Sequence, residues 1–153
     1  MSLSYGYLTP KQTKIWDMKK KGFLEANIAR ELNVTRQTVH KAVEVANSKV
    51  SQALIEMAKL SRIKVEYLNP TKGILIGYSQ EFGTQAIITF SASNNIQIWY
   101  RHRGNCEQCD QVESCQKKLL AELEDRNIQP PKNLNSIPPS ELAEFLFQKI
   151  IKG

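Results

Sequence analysis

The chain has 153 residues, of which 41% are hydrophobic and 24% are charged. This composition is typical of a soluble globular protein, and no stretch reaches the roughly 18 apolar residues of a membrane span. The first residues lack the charged-then-apolar layout of a secretory signal, so we expect a cytoplasmic protein that has no membrane partner.

The net charge of +6 is unevenly distributed. Residues 1–62 carry eleven Lys or Arg and five Asp or Glu, whereas residues 63–153 carry ten of each. Because the whole excess lies in the first part of the chain, it indicates one surface that suits a polyanion. The alternative is a solubilising charge that serves no partner.

The first elements are predicted to be helices, because residues typical of helix caps mark their ends. Thr9 followed by Pro10 is typical of an N-cap and a first helical position, and Gly22 is a typical C-terminal cap. Asn33 suits a tight left-handed turn, and Thr35 suits the cap of a further helix. We therefore predict helices over about residues 10–21, 24–32 and 35–61, in a helix-turn-helix arrangement.

The third predicted helix begins with side chains that suit a DNA major groove. Val39 and Val43 are predicted to face inward, which leaves the first turn exposed: Thr35, Arg36, Gln37, Thr38, His40 and Lys41. Arg can bond guanine bidentately, Gln can bond adenine, and Thr can contact a thymine methyl group or a phosphate. Basic side chains expected to contact the DNA backbone are Lys11, Lys14, Lys19, Lys20, Lys21 and Arg30. The alternative is an ordinary helical hairpin with a solvated basic face.

These residues resemble a known family. Residues 8–58 are similar to the DNA-binding part of the archaeal Tfx-type regulators, and more distantly to LuxR-type regulators and sigma-factor region 4; they read LTPKQTKIWDMKKKGFLEANIARELNVTRQTVHKAVEVANSKVSQALIEMA. The resemblance implies a transcription regulator that binds specific double-stranded DNA through its third helix. Asn33 replaces the usual glycine of such turns, and the rest of the chain matches no part of that family.

The third helix is predicted to continue far beyond its DNA-reading turn. No Gly or Pro occurs from Thr35 to Ser61, and apolar residues recur every seven positions: Val43, Val50 and Met57, then Ala46, Ala53 and Leu60. Such a seam can pack against its twin in a homodimer or against the rest of the chain. Since helix-turn-helix proteins usually bind two half-sites, we expect a homodimer.

The second part of the chain changes character. Short runs rich in Ile, Val and aromatic residues predict strands at about 64–68, 73–79, 85–91 and 96–101, with a hairpin turn at Asn94-Asn95. Helices are predicted over about 114–126 and 140–151, separated by a proline-rich stretch. The fold class is thus α+β, with a helix-turn-helix unit at 1–62. A small mixed α/β domain at 63–153, an antiparallel sheet plus C-terminal helices, is expected to serve dimerisation or sensing.

All three cysteines lie within ten residues, at Cys106, Cys109 and Cys115. Clustered cysteines in an intracellular protein favour metal or redox chemistry, and His102 is a candidate fourth ligand for structural Zn²⁺. An iron–sulfur cluster, a dithiol switch, a Cys–Cys staple and three reduced thiols are the alternatives. Because Cys115 begins a predicted helix, the helix dipole is expected to favour its thiolate.

No motif of a known catalytic class occurs in the sequence: there is no glycine-rich phosphate loop, nucleophile elbow or His-Glu-x-x-His. We therefore predict a DNA-binding regulator that is not an enzyme. The alternatives are a protein-interaction module and a metal- or redox-sensing subunit of a nucleic-acid-processing complex. Aromatic residues in the predicted strands could line an effector site, although strand aromatics are more often core.

Overall fold

The computed structural model describes residues 8–101 and 106–152. These residues form, in chain order, three helices, a four-stranded sheet and two more helices. The elements are α1 Pro10–Lys20, α2 Glu25–Leu32, α3 Arg36–Leu60, β1 Ile63–Asn69, β2 Ile74–Ser79, β3 Thr84–Ser91, β4 Asn95–Tyr100, α4 Val112–Asp125 and α5 Pro139–Lys152. Short 3-10 turns occur at Cys106–Gln108 and Leu134–Ser136. The predicted α+β class is confirmed.

Local capping sets where α1 and α3 begin. The Thr9 hydroxyl accepts a hydrogen bond from the Gln12 backbone N–H at 3.2 Å, and the Gln12 side chain accepts one from the Thr9 N–H at 3.1 Å. At α3, the Thr35 hydroxyl accepts from the Thr38 N–H at 3.1 Å. Each cap satisfies a backbone donor that would otherwise lack a partner, so these two helix starts follow from the sequence.

The first three helices share a small core of their own. Its buried members come from all three helices: Ile15, Ile28, Ala29, Val39 and Val43. Met18, Leu32 and Val34 are half-buried against it. Val39 and Val43 are thus inward-facing as predicted from sequence, and the small Ala29 allows α2 and α3 to approach each other.

The sheet is an antiparallel meander in the order β1-β2-β3-β4. In β3, Ala86, Ile88 and Phe90 point to one face and belong to one core cluster, whereas Ile87 points to the other face and belongs to a second cluster. The turn predicted before β4 is present, and Asn95 takes the left-handed φ of 56° that such a turn requires. Both faces of the sheet are covered, so the fold has three layers.

α3 covers the first face of the sheet. The seam residues Ala46 and Val50, together with the neighbouring Leu54 and Ala58, are fully buried in one cluster with strand residues, including Ile88. Of the two predicted partners for the heptad seam, the structure therefore shows the rest of the same chain. Leu60, at the end of the seam, is the exception because it is 81% exposed.

α4 and α5 cover the second face. Their buried residues form one cluster with Ile74 and Ile87 of the sheet: Leu119, Leu123, Leu142, Leu146, Phe147 and Ile150. The apolar face of α5 thus has its partner within the chain. None of the described helices has the length and apolar character needed to cross a membrane.

α1 also joins the sheet, because Trp16 lies in the same core cluster as the strands. Its indole N–H donates to the Pro70 carbonyl at 3.1 Å, and its ring packs edge-to-face on Phe90 with centroids 5.2 Å apart. Gly73 faces this ring with φ +67°, and a Cβ there would lie 2.3 Å from the Phe90 carbonyl oxygen. The turn between β1 and β2 therefore requires glycine to let α1 approach. The core crosses the predicted boundary at residues 62–64.

A buried ion pair fixes the end of α4. Glu122 is fully buried and accepts from Arg126 Nε at 3.0 Å and from the Ser91 hydroxyl at 2.9 Å. The two Nη atoms of Arg126 donate to three backbone carbonyls, those of Lys72, Gly73 and Phe90. This network ties α4 to the turn between β1 and β2 and to the end of β3.

Candidate nucleic-acid interface

The candidate interface is built by α2, the turn after it and the start of α3. Asn33 ends α2 in the left-handed conformation, with φ 55° and ψ 46°. The Val34 backbone N–H donates to the Ala29 carbonyl at 3.0 Å, and the half-buried Val34 side chain packs on the three-helix core. Asparagine is the most suitable non-glycine residue for this backbone conformation, so the departure from the usual glycine is accommodated.

The first turn of α3 presents its polar side chains to solvent. Val39 and Val43 are buried beneath it, while the predicted reading residues are all exposed: Thr35, Arg36, Gln37, Thr38, His40 and Lys41. The hydroxyls of Thr35 and Thr38 lie 2.8 Å apart and share the helix cap. Arg36, Gln37 and Lys41 therefore remain the side chains with the most freedom to reach a groove.

His40 lies beside two carboxylates, a contact that was not predicted from the sequence. His40 Nδ1 lies 3.2 Å from Glu25 of α2, and its Nε2 lies 3.3 Å from Glu44, one turn later on α3. Glu25 also lies 3.8 Å from Lys19. The imidazole is thus oriented by two carboxylates, and it sits at the acidic side of the otherwise basic surface.

The basic residues predicted to contact DNA phosphates fall into two groups. Lys11, Lys14, Lys21 and Arg30 are exposed, and Lys19 is half-exposed. Lys20 differs, because only 4% of its side chain is exposed and its ammonium lies 3.3 Å from Asp17 and 5.0 Å from the Trp16 ring centre. The side chain of Lys20 therefore turns inward from the end of α1, and its contact with a DNA phosphate stays a prediction.

The cysteine segment lies at the start of α4. Cys106 begins the 3-10 turn, Cys109 follows it, and Cys115 lies in the first turn of α4. Burial, followed by repulsion from Cys109, raises the pKa of the Cys115 thiol above its ordinary value, so the expected stabilisation of its thiolate by the helix is outweighed. The three thiols are free.

The fourth predicted ligand, His102, lies outside the described residues. Among the residues that the structure does describe, no group of three or more His, Cys, Asp or Glu is arranged to hold a metal ion. The Zn²⁺ and iron–sulfur interpretations of Cys106, Cys109 and Cys115 therefore stay predictions.

Comparison of the chain with protein-family models, with curated proteins and with solved structures gives no match. The resemblance of residues 8–58 to Tfx-type and other helix-turn-helix regulators stays an interpretation of the sequence.

Proposed function

We propose that the chain is a transcription regulator that binds specific double-stranded DNA in the major groove through the first turn of α3. The observation that carries the proposal is the arrangement of α2, the left-handed Asn33 and the capped α3. It buries Val39 and Val43 while exposing Arg36, Gln37 and Lys41 on one side. A capped helix that offers such side chains at its start is the arrangement by which helix-turn-helix proteins read base edges.

The charge distribution supports the same function. All of the net charge of +6 belongs to residues 1–62, where Lys11 and Lys14 of α1 and Lys21 directly after it are exposed. Such lysines would contact phosphates and hold the register on the duplex without reading its sequence. The resemblance to Tfx-type regulators adds to this support.

We infer a homodimer from the need of such proteins for two half-sites. Because α3 buries its heptad seam against its own sheet, the two copies would have to meet through another surface. Light scattering at micromolar concentration should give the mass of two chains, and a mass of one chain would refute the dimer.

The proposal is tested by selecting bound sequences from random duplex DNA and measuring binding of the selected duplex by fluorescence anisotropy. Binding should weaken by orders of magnitude between about 50 and 200 mM salt, since several phosphates are contacted. Arg36→Ala or Gln37→Ala should relax base preference at one position of each half-site, at a cost of about 1–3 kcal/mol.

A matched control is available on the same helix. Lys41 and Lys59 are both exposed lysines of α3, at opposite ends of the helix. Lys41→Ala should weaken binding, whereas Lys59→Ala should leave it unchanged. Equal effects of the two substitutions would show that only net charge matters, and absence of any binding at 50 mM salt would refute the proposed function.

A further inference from the structure

Glu44 lies on the same outward stripe of α3 as the proposed reading residues. It follows Gln37 by about two helical turns, so the two side chains project within about 20° of each other around the helix. Ala46, which is fully buried in the core, projects about 160° away from Glu44. The Glu44 side chain is 68% exposed. The stripe that presents Gln37 and Lys41 therefore continues one turn further, to a carboxylate.

The Glu44 carboxylate is held from one side by His40. The Nε2 atom of His40 lies 3.3 Å from Oε1 of Glu44, and Nδ1 of the same ring lies 3.2 Å from both carboxylate oxygens of Glu25. The Glu25 side chain is only 15% exposed, and it also lies 3.8 Å from Lys19 of α1. The imidazole is thus anchored on α2, and its contact with Glu44 limits the directions that the glutamate side chain can take.

A carboxylate on this stripe is unfavourable if the stripe meets only phosphates. Every phosphate is negatively charged, so repulsion from Glu44 would weaken binding to all sequences alike. The two oxygens of a carboxylate offer about four acceptor sites, and contact with a single imidazole nitrogen leaves others available. Glu44 therefore suits a DNA-binding surface when it meets a hydrogen-bond donor on the edge of a base.

The base edges in the major groove narrow the choice to one base. Guanine presents two acceptors there, and thymine presents an acceptor and a methyl group, so neither can donate to a carboxylate. Adenine has an amino donor directly beside the N7 acceptor, whereas cytosine has only its N4 amino donor. A carboxylate therefore suits cytosine, and it discriminates against guanine and thymine by repulsion as well as by the hydrogen bond that it would lose.

We propose that Glu44 is a further specificity-determining residue, which accepts a hydrogen bond from the N4 amino group of one cytosine in each half-site. This inference rests on the proposed function, because it requires α3 to lie in the major groove. Glu44 is about 10 Å further along the helix axis than Gln37, so the cytosine would lie beyond the base that Gln37 contacts. The reading surface would then extend over the first three turns of α3.

The test measures, by fluorescence anisotropy, how the full chain binds its selected duplex and duplexes that carry each of the four base pairs at each half-site position. The wild type should prefer cytosine to thymine at one position by about 5- to 150-fold, the range of one good base contact. Glu44→Ala should bring this ratio close to one and leave the other positions unchanged. Glu44→Gln should shift the preference at the same position towards adenine, which glutamine can bond through N6 and N7.

Glu56→Gln is the matched control, because Glu56 is another exposed glutamate of α3, about three turns beyond Glu44. It removes the same charge and should leave every base preference unchanged. Equal effects of Glu44→Gln and Glu56→Gln, or an unaltered base preference in Glu44→Ala, would overturn the role of Glu44 and leave the proposed function standing. Absence of duplex binding by the wild type would refute the proposed function, and the role of Glu44 with it.

Discussion

Replacing Glu122 by leucine should destabilise the protein strongly, because it leaves a buried guanidinium without its counter-charge. Glu122 is 0% exposed and the Arg126 side chain is 6% exposed, with Nε and the carboxylate oxygen 3.0 Å apart. Removing one partner of a buried pair costs about 3–5 kcal/mol. In a chain of this size 1 kcal/mol shifts Tm by about 2–4 °C, so Tm should fall by about 6–20 °C.

The assay is urea and thermal unfolding followed by far-UV circular dichroism at pH 7. Glu122→Leu combined with Arg126→Met should recover much of the loss, since both charges are then removed. The control is Glu124→Leu, at an exposed position of the same helix, which should change stability by no more than about 0.5 kcal/mol. If Glu122→Leu cost less than about 1 kcal/mol, the pair would behave as a solvated one and the reasoning would be refuted.

Further substitutions test the buried Lys20, the turn at Asn33, the close approach of Gly73 to Phe90 and the cysteines. The pKa of Lys20 is lowered in the folded protein, so as pH approaches 10.5 the unfolded chain binds more protons than the folded chain. The free energy of unfolding of the wild type should therefore rise towards that pH by more than the free energy of unfolding of Lys20→Met. Asn33→Gly should keep Tm, whereas Asn33→Val should lower stability by about 1–2 kcal/mol in urea unfolding. Gly73→Ala should cost at least about 1–3 kcal/mol by the same assay, because its Cβ would meet the Phe90 carbonyl. If the cysteines bind zinc, protein purified without oxygen should contain about one zinc per chain by elemental analysis, and Cys109→Ser should lose it.

Features set by neighbours in the sequence could be predicted. Thr9, Asn33 and Thr35 act within a few residues of themselves, so the starts of α1 and α3 and the turn between α2 and α3 follow from local chemistry. The strands could be predicted too, because runs of β-branched and aromatic residues are separated by turn residues.

Features that depend on contacts between distant parts of the chain could not be predicted. A heptad seam looks the same whether a twin or a sheet covers it, so Val50 alone cannot identify its partner. Glu122 and Arg126 have the i,i+4 spacing of ordinary exposed helix pairs, and only the packing of α4 on the sheet buries them. Lys20 lies in a run of three lysines, and nothing local shows that it turns inward while its two neighbours are more exposed.

The unbroken length of α3 makes it a mechanical lever. The helix has 25 residues, or about 37 Å at 1.5 Å per residue, with its outer turn at one end and its sheet contacts from Ala46 to Ala58. A tilt of about 5° around its C-terminal end would move the first turn by about 3 Å, close to the rise of one base pair. A small change in how α3 packs on the sheet would therefore produce a larger displacement of its first turn, because the helix has no break that could absorb the motion.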